Sequence, residues 1–327
     1  MNFYPPPPTI KAELYVRIPD ELRCIGQETE WRSGFDRDFQ HIFLEGPVAD
    51  DLGNLYVVDI PFGRILRIGA DKHVSVIAQW DGEPNGLAAT ADGDLLIADY
   101  KQVQRRPLFT SSDWLIQEPQ GILQCEPSTG KVSPKMTRRQ LERFKGPNDL
   151  IVDSKGNIYF TDQGQTSITE PTGKVYRLCP DGRLDTLVSN GVSPNGLVLS
   201  LDERFLFVAM TRTSQVWRLP LHDDGTTTKG GVFFQSFGKV GPDGLALDEE
   251  GSLFICHPGL GSIFVVDSDG IPKARIISGS EGVNLTNCCF GGPEGKTLFI
   301  TDSLEGNVQS VEWHCKGAKA PPKLRST

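Results

Sequence analysis

One phrase returns six times along this chain. A turn built from Pro with Asn, Asp or Gly leads into a short apolar run. A D-x-x-G turn follows, and then a second apolar run. The copies are GPVADDLGNLYVVD from Gly46, PNGLAATADGDLLIAD from Pro84, GPNDLIVDSKGNIYFTD from Gly146, PNGLVLSLDERFLFVA from Pro194, GPDGLALDEEGSLFICH from Gly241 and a degenerate LTNCCFGGPEGKTLFITD from Leu285. A third apolar run follows each after Gly or Ser (GRILRI, GILQCE, GKVYRL, SQVWRL, GSIFVV, GNVQSV), and a weaker fourth follows most, such as HVSVIA and RLDTLV. Four short runs per unit, bounded by Gly, Asp and Asn, read as strands and tight turns. The Pro markers fall at 47, 84, 147, 194 and 242, and units of this size are blades of a β-propeller. A β-sandwich is the competing fold, but sandwiches do not repeat one phrase six times.

The expected fold is therefore all-β: a single six-bladed propeller over residues 1–327, with four antiparallel strands per blade. The sixth unit lacks a fourth strand after VQSVEW, so an N-terminal strand, AELYVRI or FQHIFL, is expected to close the ring and leave no open edge. Residues 1–40 form an N-terminal extension. Helical periodicity is confined to a possible short turn at MTRRQLERF, 136–144. The second unit carries surplus residues, about 103–120, with Phe109, Trp114, Leu115 and Ile116 among them. Loops this long often bind or cover a ligand, so this one is a candidate lid, with an ordinary surface excursion as the alternative.

In a propeller the residues just before each innermost strand face one another around one rim. Here these are Glu45, Asn85, Asn148, Asn195 and Asp243. Any one of them alone is a good turn former. Together they form an all-oxygen set suited to a hard divalent cation, Ca²⁺ first, with Mg²⁺, Mn²⁺ or Zn²⁺ also admissible. The ends of the second strands return to the same face and bring Asp59, Tyr100, Asp162, Arg212, His257 and Ser303 near it. Tyr100, Arg212, His257 and Ser303, with Asn85, are candidate substrate contacts. Arg212 could equally be a surface residue, and His257 a structural histidine of the wall. Asp59, Asp162 and Asp302 read as acids that hold blade turns.

The net charge of −9 argues against nucleic acid, whose phosphates need a basic face. No apolar run is long enough to span a bilayer. The N-terminal residues lack an apolar signal core. The seven cysteines are odd in number and fit no CxxC pattern, as expected of reduced, mostly buried thiols. A cytoplasmic monomer acting on a small molecule is the expectation.

The segments FLEGP, GNLYVVDIPFGRI, GPNDLIVD, SPNGLVLS, GPDGLALDEEGSLF, HPGLGSIFVVD and TNCCFGG…TLFITDS, from about Phe43 to Trp313, resemble the gluconolactonase, senescence-marker-protein and luciferin-regenerating-enzyme family, to which the diisopropylfluorophosphatase type is related. The resemblance implies a metal held by Glu45, Asn195 and Asp243, with Asn148 touching metal or substrate and Asn85 on the wall or in the outer metal shell. It implies hydrolysis of a lactone, with Asp243 activating water. Asp149 is a weaker candidate for that role, and orienting the ligands suits it better. Three departures bear on the substrate. Ser303 and Cys289 stand where the fluorophosphatase type has histidines, which favours lactones over phosphotriesters. Met210 stands where the family commonly has Glu, which removes one expected polar wall residue. A non-hydrolytic cyclase or isomerase, a phosphotriesterase, and a non-catalytic calcium-binding propeller are the alternatives.

Overall fold

The computed structural model describes residues 6–29, 31, 41–101, 121–164, 166–319 and 322–325. The candidate lid at 103–120 lies outside these residues. Six antiparallel sheets form the blades of a propeller. Their innermost strands are Leu44–Ala49, Pro84–Ala89, Pro147–Val152, Pro194–Leu199, Leu245–Leu247 and Leu285–Gly291, and they pack in cyclic order, the last against the first. The fourth strand of blade six is Glu13–Arg17, paired antiparallel with Asn307–Glu312. AELYVRI thus closes the ring, as one of the two candidate segments should. Thr9–Lys11 adds a parallel fifth strand to blade five, beyond Pro272–Ile277. The segment expected to turn helically holds a two-stranded pairing instead, Arg138–Arg139 with Glu142–Arg143. Gln140 adopts φ 56° there, which a helix does not accommodate.

Burial grades outward. The second strands Leu55–Asp59, Leu95–Asp99, Ile158–Asp162 and Leu253–His257 are buried at every residue, whereas the outer strand Lys131–Met136 is mostly exposed. Inner strands are covered by a neighbouring blade on each face, so both faces are apolar. The core is accordingly a ring of six clusters, one at each blade interface. Val58, Ile65, Leu87 and Ile97 join blades one and two, and Leu44, Val57, Phe299 and Val308 join blades six and one. Met210 is fully buried in the cluster between blades three and four. It fills core and does not line the site, so its apolar character carries no message about the substrate.

The D-x-x-G turns have a common construction. Asp50 Oδ1 accepts the amides of Leu52 and Asn54, Asp153 Oδ1 those of Lys155 and Asn157, and Asp248 Oδ1 those of Glu250 and Ser252. Gly53, Gly156 and Gly251 take φ near 82°, the left-handed region that glycine enters without strain. These turns lie on the lower rim. The chain's last segment crosses that rim. Ala318 N donates to Leu247 O, Lys319 Nζ to Val152 O, Asp51 N to Pro322 O, and Arg325 N to Gly93 O. This segment therefore touches blades five, three, one and two.

All seven cysteines are free thiols, five of them buried and Cys24 and Cys289 partly so. Among the described residues no helix is long and apolar enough to cross a membrane.

Candidate active site

The upper rim is shaped by irregularities where the chain enters each inner strand. Pairing shifts register between Glu45 and Val48, Pro84 and Gly86, Pro147 and Leu150, Pro194 and Leu197, and Leu285 and Asn287. In blade five regular pairing starts only at Leu245. A bulge frees a residue from the ladder and re-aims its side chain. Around this rim the charges of Glu45 and Asp149 act on Asp243, Asn195 hydrogen-bonds to Asp243, and Asn287 to Glu45, while Asn148 stands one residue before Asp149 in the third bulge.

Glu45, Asn148, Asp149, Asn195 and Asn287 are buried, and Asp243 is half-buried. Glu45 Oε2 accepts the Gly46 amide at 3.0 Å and Asn287 Nδ2 at 3.1 Å. Asp149 and Asn287, three blades apart, are set alike. Each backbone amide donates to a threonine of the neighbouring strand, Thr161 or Thr301. Each side-chain Oδ1 accepts the next amide, Leu150 or Cys288, at 2.8 Å. Glycines make room for them: a Cβ on Gly86 would lie 2.6 Å from Asp149 Oδ1, and one on Gly244 would strike the Asn287 amide.

Three carboxylates thus act on one another at this rim, two buried and Asp243 half-buried. Burial pushes Glu45 up to about 7, against the hydrogen bonds from Gly46, Thr286 and Asn287. Burial, then the Glu45 charge, pushes Asp149 up to about 7. Burial, then the charges of Glu45 and Asp149, lifts Asp243 well above the carboxylate range, while the Asn195 hydrogen bond and the Arg212 charge oppose this. Clustered like charges need a cation or a proton. Asn148 donates through Nδ2 to Gln163 at 3.3 Å, but its buried Oδ1 has no donor among the described residues. A carbonyl oxygen without a donor among the described residues, one residue before Asp149 in the third bulge, together with three mutually acting carboxylates, suits a hard divalent cation.

Below the rim runs a channel of about 290 Å³, from Asp149 and Asn287 past Leu197 and Cys289 to Lys319 and Pro322 of the crossing segment. Its middle is apolar, lined by Leu197, Leu199 and Leu245 among others.

The other expected contacts separate. Asn85 is half-buried in the second bulge. Half-buried Tyr100 donates through its hydroxyl to Gly164 O at 3.2 Å. Arg212 is exposed, in the short 3₁₀ turn Thr211–Thr213, and its charge acts on Asp243. His257 is wholly buried, its Nδ1 3.1 Å from Pro258 O, its Nε2 without a partner among the described residues, and burial lowers its pKa. Ser303 is also wholly buried and donates to Leu44 O at 2.7 Å, while contacting Thr286, so it braces the residue before Glu45. The second-strand acids hold turns. Asp59 accepts Phe43 N and pairs with Arg64 at 2.7 Å, and Asp162 accepts Gly146 N. Sequence reasoning missed Asn287 because the sixth phrase lacks Pro-Asn-Gly. Aligning that phrase on its apolar run would have set Asn287 level with Asp149.

Residues 43–303 match the family model described as the SMP-30/Gluconolactonase/LRE-like region. A gluconolactonase of Zymomonas mobilis is 31% identical over 328 residues, covering 90% of this chain and 82% of the relative. A lactonase drp35 of Staphylococcus aureus is 35% identical over 243 residues, covering 72% and 69%. The structure of a calcium-binding protein, regucalcin, from Agrobacterium tumefaciens superposes with a TM-score of 0.70 at 20% identity, covering 98% of this chain and 99% of the other. With its propeller, its polar rim and a match that spans most of its length, this chain belongs to the SMP-30/gluconolactonase/luciferin-regenerating-enzyme-like family.

Proposed function

We propose that the chain is a lactonase that depends on one divalent cation, Ca²⁺ first among the candidates, and hydrolyses a small lactone at the upper rim. The observation that carries this reading is the cluster of Glu45, Asp149 and Asp243, whose charges act on one another, with the neighbouring Asn148 oxygen lacking a donor among the described residues. The related lactonases point to the reaction. Glu45, Asn148, Asn195 and Asp243 would hold the ion. When bound, it would polarise the lactone carbonyl and stabilise charge developing on that oxygen.

The residues of the chain do the rest. Asp243 is the half-buried carboxylate of the set, so it is the one that can meet substrate and water from the mouth. It accepts the proton of the attacking water. Asn195 hydrogen-bonds to it and fixes its orientation. Asn287 and Ser303 hold Glu45 and the chain before it, which keeps the ligand geometry stiff. Asp149 orients from below. Arg212, exposed beside Asp243, is the polar contact for the substrate's carbonyl or hydroxyl groups, with Asn85 and Tyr100 on the wall.

Asp243→Asn tests this reading with a gluconolactone hydrolysis assay at saturating Ca²⁺. Loss of a general base lowers kcat by about 10²–10⁴-fold, and a chelator should abolish turnover of the unaltered protein until Ca²⁺ is restored. Full activity of a folded Asp243→Asn protein would sink the mechanism. A product heavier than the substrate by one water separates hydrolysis from a cyclase or isomerase reaction.

A further inference from the structure

A different set of side chains meets on the lower rim, away from the channel mouth. One carboxylate oxygen of Glu250, one imidazole nitrogen of His314 and the Cys315 sulfur all lie within 4.8 Å of one another. Glu250 belongs to the D-x-x-G turn of blade five. His314 and Cys315 follow the third strand of blade six, where the chain starts across the lower face. Their spacing in sequence gives no metal-binding pattern. The fold brings them together and fixes both backbones. Glu249 N donates to Lys316 O at 2.8 Å, Lys316 N to Glu249 Oε1 at 3.0 Å, and Trp313 Nε1 to Asp248 Oδ2 at 3.0 Å. Three ligands on a prearranged frame lose little freedom on binding.

We propose that Glu250, His314 and Cys315 form a second metal site, selective for borderline-soft ions such as Zn²⁺ over Ca²⁺, that clamps the start of the C-terminal segment to blade five. Thiolate and imidazole choose the metal, since Ca²⁺ takes oxygen ligands while Zn²⁺ accepts sulfur, nitrogen and carboxylate. Glu250 and His314 are exposed and open a path to the buried Cys315. Asp248 stays outside the ligand set. Its oxygens accept Glu250 N, Ser252 N and Trp313 Nε1, and without metal the Cys315 thiol as well, so it orients both arms. Water takes the fourth position. Glu250 Oε2 meets both His314 Nε2 and Lys273 Nζ at 3.2 Å without metal; the metal would replace the first contact, and Lys273 has Ser252 Oγ at 2.8 Å to fall back on. Burial and the carboxylates of Asp248, Glu250 and Glu249 push the Cys315 thiol up to about 11. Without metal it is an inert S–H. Binding releases that proton to water, forms the metal–sulfur bond and changes no oxidation state.

The test is a Co²⁺ titration of the full, chelator-treated protein. A thiolate ligand gives an intense sulfur-to-cobalt band in the near ultraviolet, which the all-oxygen upper rim cannot give. With Ca²⁺ in excess to fill the upper rim, one equivalent of Co²⁺ should develop this band, Zn²⁺ should erase it and further Ca²⁺ should not. Cys315→Ser should lose the band and keep lactone turnover. His314→Ala, an exposed change that spares folding, should weaken Co²⁺ binding by at least about tenfold, since even partners outside the ligand shell are worth that much. Absence of the band, its persistence in Cys315→Ser, or an unchanged Co²⁺ affinity in His314→Ala overturns the proposal. None of these outcomes bears on Asp243 or the upper rim.

Discussion

Replacing Asn287 by Ala tests the upper rim through a residue that no repeat motif marks. Its Nδ2 donates to Glu45 Oε2 over 3.1 Å, and Glu45 has few other donors, the Gly46 amide and Thr286. A hydrogen bond to a charged group contributes about 1.5–3 kcal/mol. At about 1.4 kcal/mol per tenfold, the variant should bind Ca²⁺ about 10- to 100-fold more weakly. The same change strands the Cys288 amide, which donates to Asn287 Oδ1 at 2.8 Å, and a stranded buried donor costs about 1–3 kcal/mol of stability. Tm alone therefore mixes the two effects. The assay is the increase in Tm as a function of Ca²⁺ concentration, which isolates binding from the fall in baseline. Asn287→Asp serves as the companion, because it keeps an acceptor for Cys288 and adds negative charge. It should bind Ca²⁺ better than Asn287→Ala. If Asn287→Ala has the same Ca²⁺ midpoint as the unaltered protein, Glu45 is not a ligand held by Asn287, and the rim assignment fails.

Other consequences follow from the same geometry. Gly244→Ala drives a Cβ into the Asn287 amide. Overpacking of this kind costs about 1–3 kcal/mol, so urea unfolding should show the loss, and Ca²⁺ affinity should drop with it. Asp59→Asn leaves Arg64 buried without its charge partner. It should destabilise by about 3–5 kcal/mol while turnover per folded molecule is kept, since Asp59 holds a turn and touches no substrate. Glu45 and Asp149 are both raised to about 7 in the fold. The folded state then binds protons more tightly than the unfolded chain, so their contribution is complete below about pH 4 and is lost as pH rises towards 7. The metal-free protein should therefore melt lower at about pH 8 than at about pH 5, and Ca²⁺ should raise Tm more at the higher pH. A flat metal-free profile would contradict this electrostatic reading.

The propeller was legible because each blade needs a neighbour on both faces, and that demand writes the same apolar phrase six times. The turns were legible for a similar reason, since Asp50, Asp153 and Asp248 each serve the same pair of amides. What was lost is local or weakly patterned. Thr9–Lys11 is too short to show a period, and it pairs with a strand remote in sequence. Residues 138–143 carry charges at spacings that suit a helix, yet Gln140 takes a left-handed turn. Met210 looked like a polar wall position, but it ends the second strand Phe205–Met210, buried from Leu206 onward, in the core between blades. Asn287 escaped because a degenerate copy hides its equivalence to Asp149. His314 and Cys315 meet Glu250 only because the chain turns across the lower rim, a contact that no single segment announces.

The most direct test of the account is a crystal of this protein soaked with Ca²⁺ and gluconolactone. It should show one ion at the upper rim, with Glu45, Asn148, Asn195 and Asp243 oxygens at about 2.3–2.6 Å and the lactone carbonyl facing it from the mouth. An upper rim without an ion at saturating Ca²⁺, or a lactone bound away from Asp243, would contradict the central claim.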